Sequence, residues 1–190
     1  MTNEASLHNI IQGCIAGKPA MQKELYYAFY NTLMKIAVRY APCEEDAEQW
    51  VHDSFIKIFQ NIHQFQFVGS FEGWIKRITT RVCIDHIRQR KTAKNEMHVH
   101  IDYRVEDMSE LSLSEDPTWE YKYTSEAIIH LLQKLPDKQR MVFNLYVFES
   151  CSHKEIADEL DIKENHSYWL LHQARKNLQS IFSQQKNIHL

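Results

Sequence analysis

Apolar residues recur along this chain at the period of a helix, not in the alternation of a strand, and they do so in blocks. Met21, Leu25, Phe29, Leu33, Ile36 and Tyr40 follow i, i+4 and i+7 steps, which predicts one amphipathic helix over about 20–40. A shorter helix precedes it, with Leu7, Ile10, Ile11, Cys14 and Ile15 inward, and "GKP" separates the two. After Pro42 a third block, about 44–62, turns Ala47, Val51, Phe55, Ile58 and Ile62 inward. Its other face carries Glu45, Glu48, Gln49, His52, Asp53 and Lys57. "QFQFVGS" interrupts the period, with Gly69 at the bend and Ser70 as the N-cap of a fourth helix to about residue 90. That helix buries Phe71, Ile75, Ile78 and Val82 and shows Arg77, Arg81 and Arg88 on one stripe.

Periodicity fades after about residue 93 and returns near Ser125. Ile128, Leu131, Leu132 and Leu135 form an apolar face that stops at Pro136; Asp137 is placed to cap the next helix, with Met141, Val142, Leu145 and Phe148 inward. "SHKE", Ser152 to Glu155, is a capping box: the Ser hydroxyl accepts from the Glu backbone N–H while the Glu carboxylate reaches back to the Ser N–H. The helix it opens turns Ile156 and Leu160 inward, with small Ala157 permitting close approach. After a turn over 161–164, where Ile162 plugs the angle, the last helix buries Ser167, Leu171, Ala174 and Leu178. Asn165, His166, Tyr168, Trp169, His172, Gln173 and Lys176 lie on its outer face.

The fold class is therefore all-α: two small helical domains, 1–93 and 125–184, joined by a flexible linker over 94–124. Four Gly and four Pro in 190 residues suit it. Charge sharpens the picture. The net charge of −3 hides a segregation in which residues 76–94 carry Lys76, Arg77, Arg81, Arg88, Arg90, Lys91 and Lys94 against Asp85 alone. Residues 96–120 carry eight carboxylates against Arg104 alone. Local fields of this kind, more than net charge, steer a polyanion.

Other chemistry is sparse. Cys14, Cys43, Cys83 and Cys151 have no metal-finger spacing and read as reduced structural thiols. His98 and His100 near Asp102 lack a third fixed ligand, so no metal site is expected. The absence of HExxH, P-loop and Gly-x-Ser-x-Gly patterns, and of an acid/base constellation, argues against an enzyme; no catalytic residue, cofactor or small-molecule substrate is expected. No apolar run approaches the roughly 18 residues of a membrane span, and the first residues lack a signal pattern, so a cytoplasmic protein is expected. The pair of helices over 152–178 fits a helix-turn-helix, whose second helix presents Asn, Gln and His to base edges while Arg175 and Lys176 reach phosphates. An ordinary αα-hairpin has the same pattern, and the segment alone does not separate the two.

Taken together, the motifs resemble the extracytoplasmic-function sigma factors of the sigma-70 superfamily. In "LPDKQRMVFNLYVFESCSHKEIADELDIKENHSYWLLHQARKNL" the positions Leu135, Pro136, Gln139, Arg140, Glu155, Ile156, Ala157, Ala174, Arg175 and Leu178 match the family's region four. "EEDAEQWVHDSFIKIF" and "SFEGWIKRITTRVCIDHIRQRK" resemble its region two. The resemblance implies a dissociable RNA polymerase subunit that selects promoters, with a four-helix first domain and a helix-turn-helix second domain. It assigns −35 reading to Asn165, His166, Tyr168, Trp169, His172, Gln173, Arg175 and Lys176. Capture of the −10 element falls to Phe65, Phe67, Ser70, Arg77, Arg81, Arg88, Arg90 and Lys91, with Phe71 and Trp74 left to the core. Docking on the clamp of the polymerase largest subunit falls to Glu48, Gln49, His52, Asp53 and Lys57. An anti-sigma factor, frequently membrane-bound in the family, is a further implied partner.

Opening about ten base-pair steps costs on the order of 14 kcal/mol at roughly 1.4 kcal/mol each. A chain with no nucleotide-binding loop cannot supply that alone, but it can trap exposed bases by stacking and Arg contacts. The sequence departs from the family at Arg81, where many members have Asn, at Ser150 in place of a bend Gly, at Lys163 in place of a Ser cap, and at "HSYW" over 166–169. These bear on which promoter is read. A stand-alone helix-turn-helix regulator is the competing reading; it predicts tight specific DNA binding without polymerase.

Overall fold

A computed structural model of the chain describes residues 4–93 and 125–186. It is helical throughout the regular segments described: α1 (Glu4–Ile15), α2 (Pro19–Tyr40), α3 (Glu44–Asn61), a 3₁₀ turn (Ile62–Gln64), α4 (Phe71–Ala93), α5 (Ser125–Gln133), α6 (Asp137–Val147), α7 (His153–Leu160) and α8 (Glu164–Lys186). The chain divides into two compact units between Arg90 and Lys91. The acidic stretch over 94–124, with its His98 and His100, lies outside the described residues.

In the first unit α1 packs on α2 and α2 on α3. Gly13 lets the first pair approach, because a Cβ there would collide with the Met21 side chain. Gly17, with φ of 71°, makes the turn, and Pro19 opens α2 at a position where its missing N–H costs nothing. Leu25, Leu33, Ile36, Ala47, Val51, Ile58 and Ile75 form the core. Glu44, Glu45 and Asp46 occupy the first turn of α3, where the helix dipole favours negative charge. Trp50 is buried as well, its ring stacked nearly parallel to His86 of α4 at 5.1 Å. The apolar stripe of α3 is therefore wider than Ala47, Val51, Phe55 and Ile58 suggest. Ser70 caps α4, its Oγ accepting from the Gly73 N–H at 3.2 Å. Trp74, expected in the core, is half-buried, and Ile15, expected inward, is exposed at the last position of α1.

In the second unit α6, α7 and α8 pack on one another and α5 adds to α8. Arg140 to Leu145 of α6 are all buried, so this helix is surrounded. Phe143 fills its core position. Phe148, expected inward, falls beyond the helix end and is exposed. Asp137 does not cap α6: it is the first helical residue, and its carboxylate accepts from the buried Arg140 guanidinium at 2.6 Å. Ser152 and Glu155 form the complete capping box of α7. Asp161 ends that helix in the left-handed region at φ 53°, and the Ile162 N–H returns to the Ala157 carbonyl at 3.0 Å.

Candidate nucleic-acid and partner interfaces

The break between the 3₁₀ turn and α4 concentrates aromatic rings. Phe65 is 8% exposed and wedged against Phe71 at 5.1 Å and Trp74 at 5.6 Å. This corrects its assignment as a stacking ring: its faces are occupied by the core, and it supports Phe67 from behind at 5.3 Å. Phe67 is 39% exposed, touches the ring of His8 at 4.5 Å, and holds φ of 57°, the left-handed region in which a bulky side chain is strained. Val68 beside it is the most exposed large apolar residue described. Backbone strain of this kind concentrates where a loop serves a ligand.

On α4 the side chains of Arg77, Arg81, Arg88 and Arg90 are all exposed. Arg77 donates to the Gly73 carbonyl at 3.4 Å, which holds it near the start of the helix. Arg90 donates to Asp46 of α3 at 2.9 Å. The Lys91 side chain lies outside the described ones. Two further contacts join α3 to α4: Lys57 to Asp85 at 3.1 Å, and His86 to Asp53 at 2.9 Å. All three pairs are partly solvated, so each contributes about 0–1 kcal/mol and is readily exchanged.

These contacts divide the predicted partner face of α3. Asp53 and Lys57 turn toward α4, whereas Glu48 and His52 lie toward the tyrosines of α2 and Gln49 is exposed. His52 stacks on Tyr26 at 5.9 Å; desolvation, with smaller contributions from neighbouring charges that include the Glu48 carboxylate, holds Tyr26 and Tyr30 above the usual tyrosine range. Two residues not singled out from the sequence extend this surface: Ile56, 55% exposed, and Tyr27 on α2. Their signal was an apolar residue standing off the buried stripe of its own helix.

On α8, Asn165, Tyr168, His172 and Lys176 are exposed, while His166, Trp169, Gln173 and Arg175 are half-buried. The outer face is thus a polar and aromatic strip that begins in the first turn. Gln139 of α6 accepts from the Asn177 amide at 2.8 Å and fixes α8 against the unit. Ser167 and Leu170 point inward with Leu171, Ala174 and Leu178. His153 was overlooked from the sequence; it is buried beneath Tyr168, with Nδ1 2.9 Å from Ser167 Oγ. A buried serine on an apolar stripe requires a polar partner, which was the available signal.

Among the described residues no group of three or more His, Cys, Asp or Glu side chains could hold a metal ion, and no helix is long and apolar enough to cross a membrane. The four cysteines are free thiols. Burial, with Glu24 nearby, pushes Cys14 up to about 11 and keeps it protonated.

Comparison with known proteins meets this geometry. Residues 25–93 match the family model described as Sigma-70 region 2, and residues 125–178 that described as Sigma-70, region 4. The chain is 28% identical over 159 residues to the ECF RNA polymerase sigma factor SigE of Mycolicibacterium smegmatis, covering 82% of this chain and 59% of that protein. It is 27% identical over 142 residues to the ECF RNA polymerase sigma factor SigW of Bacillus subtilis, covering 70% of this chain and 73% of that one. The chain thus spans less than two thirds of the first relative and about three quarters of the second. A solved structure of the sigma factor RpoE in complex with the anti-sigma factor NepR from Bartonella quintana shares the fold, with a TM-score of 0.53 at 17% identity over 85% of this chain and 96% of that one.

Proposed function

Since the chain belongs to the extracytoplasmic-function sigma factors of the sigma-70 superfamily, we propose that it binds core RNA polymerase and directs promoter-specific initiation of transcription. The observation that carries this is the order of two independent family patterns, region two at 25–93 and region four at 125–178, falling on two separately compact helical units. The first domain, 1–93, serves the −10 element and the polymerase; 94–124 is the acidic linker; 125–184 reads the −35 element.

Within the first domain Phe67 is the exposed ring that stacks on an unpaired base, at roughly 1–3 kcal/mol per base. Phe65 supports it. Ser70 positions the loop through its cap, and Arg77, Arg81, Arg88, Arg90 and Lys91 follow the strand's phosphates. The clamp is met by Glu48, Gln49 and His52, joined by Ile56; Asp53 and Lys57 orient α4 and form the edge of the same surface. In the second domain Asn165, His166, Tyr168, Trp169, His172 and Gln173 face base edges and sugar, with Arg175 and Lys176 reaching phosphate.

The chain acts by binding and positioning, not as an enzyme, in the cytoplasm where core polymerase works. An anti-sigma factor, membrane-bound in many members of the family, is the partner that would hold it inactive.

Reconstitution with core polymerase, followed by run-off sequencing on genomic fragments, tests the reading. Discrete start sites with upstream protection only in the presence of core are expected. Absence of core binding would refute it, and strong sequence-specific footprints by the free chain would favour a stand-alone regulator.

A further inference from the structure

Three aromatic rings stack in a column through the second unit, and a guanidinium lies over one of them. His153, the first residue of α7, is 7% exposed and lies between Tyr146 of α6, at 4.8 Å and 29°, and Tyr168 of α8, at 3.7 Å and 27°. The Arg175 guanidinium of α8 sits over the Tyr146 ring, 5.8 Å from its centroid. Ser167, fully buried, holds the imidazole edge: its Oγ is 2.9 Å from Nδ1, one donating to the other according to the tautomer. The column ends at Tyr168, which is 40% exposed and occupies the fifth position of α8, within the turns that a helix-turn-helix presents to bases.

We propose that His153 is a positioning residue for promoter recognition: it does not touch DNA, but by stacking under Tyr168 it fixes that ring in one orientation on the surface of the reading helix. The inference rests on the assignment of α8 as the −35 reader. An exposed tyrosine at the start of a helix samples several rotamers, and binding DNA would have to select one of them. Here one face of the ring is already committed to a buried partner that is itself locked by Ser167 and by Tyr146. Ordering a rotamer-rich side chain before the encounter is worth about 3- to 10-fold in affinity. The gain is specific, because a ring held in place accepts a thymine methyl or a sugar at one position and rejects a mispositioned base. Burial keeps the imidazole below the usual histidine range, so at neutral pH it is a neutral stacking partner. Tyr146 also carries Arg175 over its ring, so the cluster that fixes the reader steadies a proposed phosphate contact as well.

The test uses holoenzyme reconstituted with the full chain and a duplex carrying a start site mapped by run-off sequencing, with single-base substitutions through its −35 segment. The readout is the ratio of initiation from the mapped element to initiation from each substitution. His153→Ala, shown by circular dichroism to be folded at the assay temperature, is expected to lower discrimination by about 3- to 10-fold at the bases Tyr168 faces. His153→Phe keeps the ring and is expected to restore most of it, a recovery that turns on orientation of the reader more than on the histidine's hydrogen bond. Tyr168→Leu, at an exposed position, should lose the same discrimination, and adding His153→Ala to it should cause no further loss.

Wild-type discrimination in folded His153→Ala overturns the proposal. So does wild-type discrimination in Tyr168→Leu, which decides the matter even where His153→Ala does not fold, because it leaves nothing to position. An equal additional loss in the double variant overturns it too, since His153 would then act without Tyr168. Initiation by the wild-type holoenzyme that ignores every −35 substitution refutes instead the assignment of α8 as reader, and is thereby distinguished from failure of the positioning role.

Discussion

Ser150 holds φ of 55°, in the left-handed region, at the bend before the helix-turn-helix. Its Cβ crowds the backbone there, a cost that glycine avoids but offsets in part by a freer unfolded chain. Ser150→Gly is therefore expected to stabilise the second unit by about 0.5–1 kcal/mol, read as a higher urea midpoint at unchanged slope. Titration acts in the same unit. His153 is held below its ordinary value of 6.5 chiefly by burial; the Glu164 carboxylate opposes this, Arg175 adds to it, and the two tyrosine rings face it. His166 is lowered by burial and by Lys138. For both, the unfolded chain binds the proton more tightly, so stability falls as pH drops below about 6.5 toward the folded values. Glu155, lowered by its hydrogen bonds to Ser152, contributes stability present above its ordinary 4.5 and lost as pH falls through its folded value. Thermal melts at pH 7.5 and 5.5 should thus show the second unit weakening, and His153→Phe, which keeps the ring but cannot titrate, should reduce the dependence. An unchanged dependence would place the titration elsewhere.

At the scale of the element, Ile56 offers the cleanest separation of binding from folding. It is more than half exposed on α3, beside Glu48, Gln49 and His52 of the proposed clamp face. Ile56→Lys should leave stability within about 0.5 kcal/mol of wild type, as surface changes do. It should weaken association with core polymerase by about tenfold or more, the effect of desolvating a charge at an interface centre, measured by fluorescence anisotropy of labelled protein. Unchanged affinity would move the docking face away from α3. How well an element could be read from the sequence depended on how many neighbours it has. The residues Leu25, Phe29, Leu33, Ile36 and Tyr40 of α2, with one buried stripe, fell where a 3.6-residue period puts them. Six consecutive buried residues leave α6 without a polar face, so the period could not find Phe143, and it drew Phe148 inward past a helix end that no sequence signal marked. Trp50 was missed because α3 serves two partners, and the second contact is made by a histidine ring, which does not count as apolar in a pattern. The candidate surfaces were legible where charge or motif spelled them, as with the arginines of α4 and the capping box of α7. Phe65 was misjudged, since sequence cannot tell which of several neighbouring rings faces inward.

Across the whole molecule, the two units share one task by proposal but not one core. A single melting temperature therefore describes neither of them, and a loss in one domain need not appear in the other. The division also bears on how the chain meets a polyanion. Each phosphate neutralised by a protein cation releases condensed ions, which gives log K a slope of about −0.9 per contact against log salt on duplex DNA, and about −0.7 on a single strand. In the proposed −10 role Arg90 would not approach DNA bare: Asp46 already stands 2.9 Å away as its counterion, supplied by the chain itself. When a phosphate replaces that carboxylate, Asp46 must recruit a cation from solution. Part of the salt released by the DNA is thus taken up again by the protein. Arg90→Ala should then lower holoenzyme affinity for promoter DNA while changing the salt slope by clearly less than about 0.7, whereas Asp46→Asn should steepen it. A full change in slope on losing Arg90 would mean that the pair with Asp46 does not persist in solution. If the smaller change is observed, Asp46 acts as a built-in buffer, making promoter capture by this part of α4 less sensitive to ionic strength than its arginine content implies.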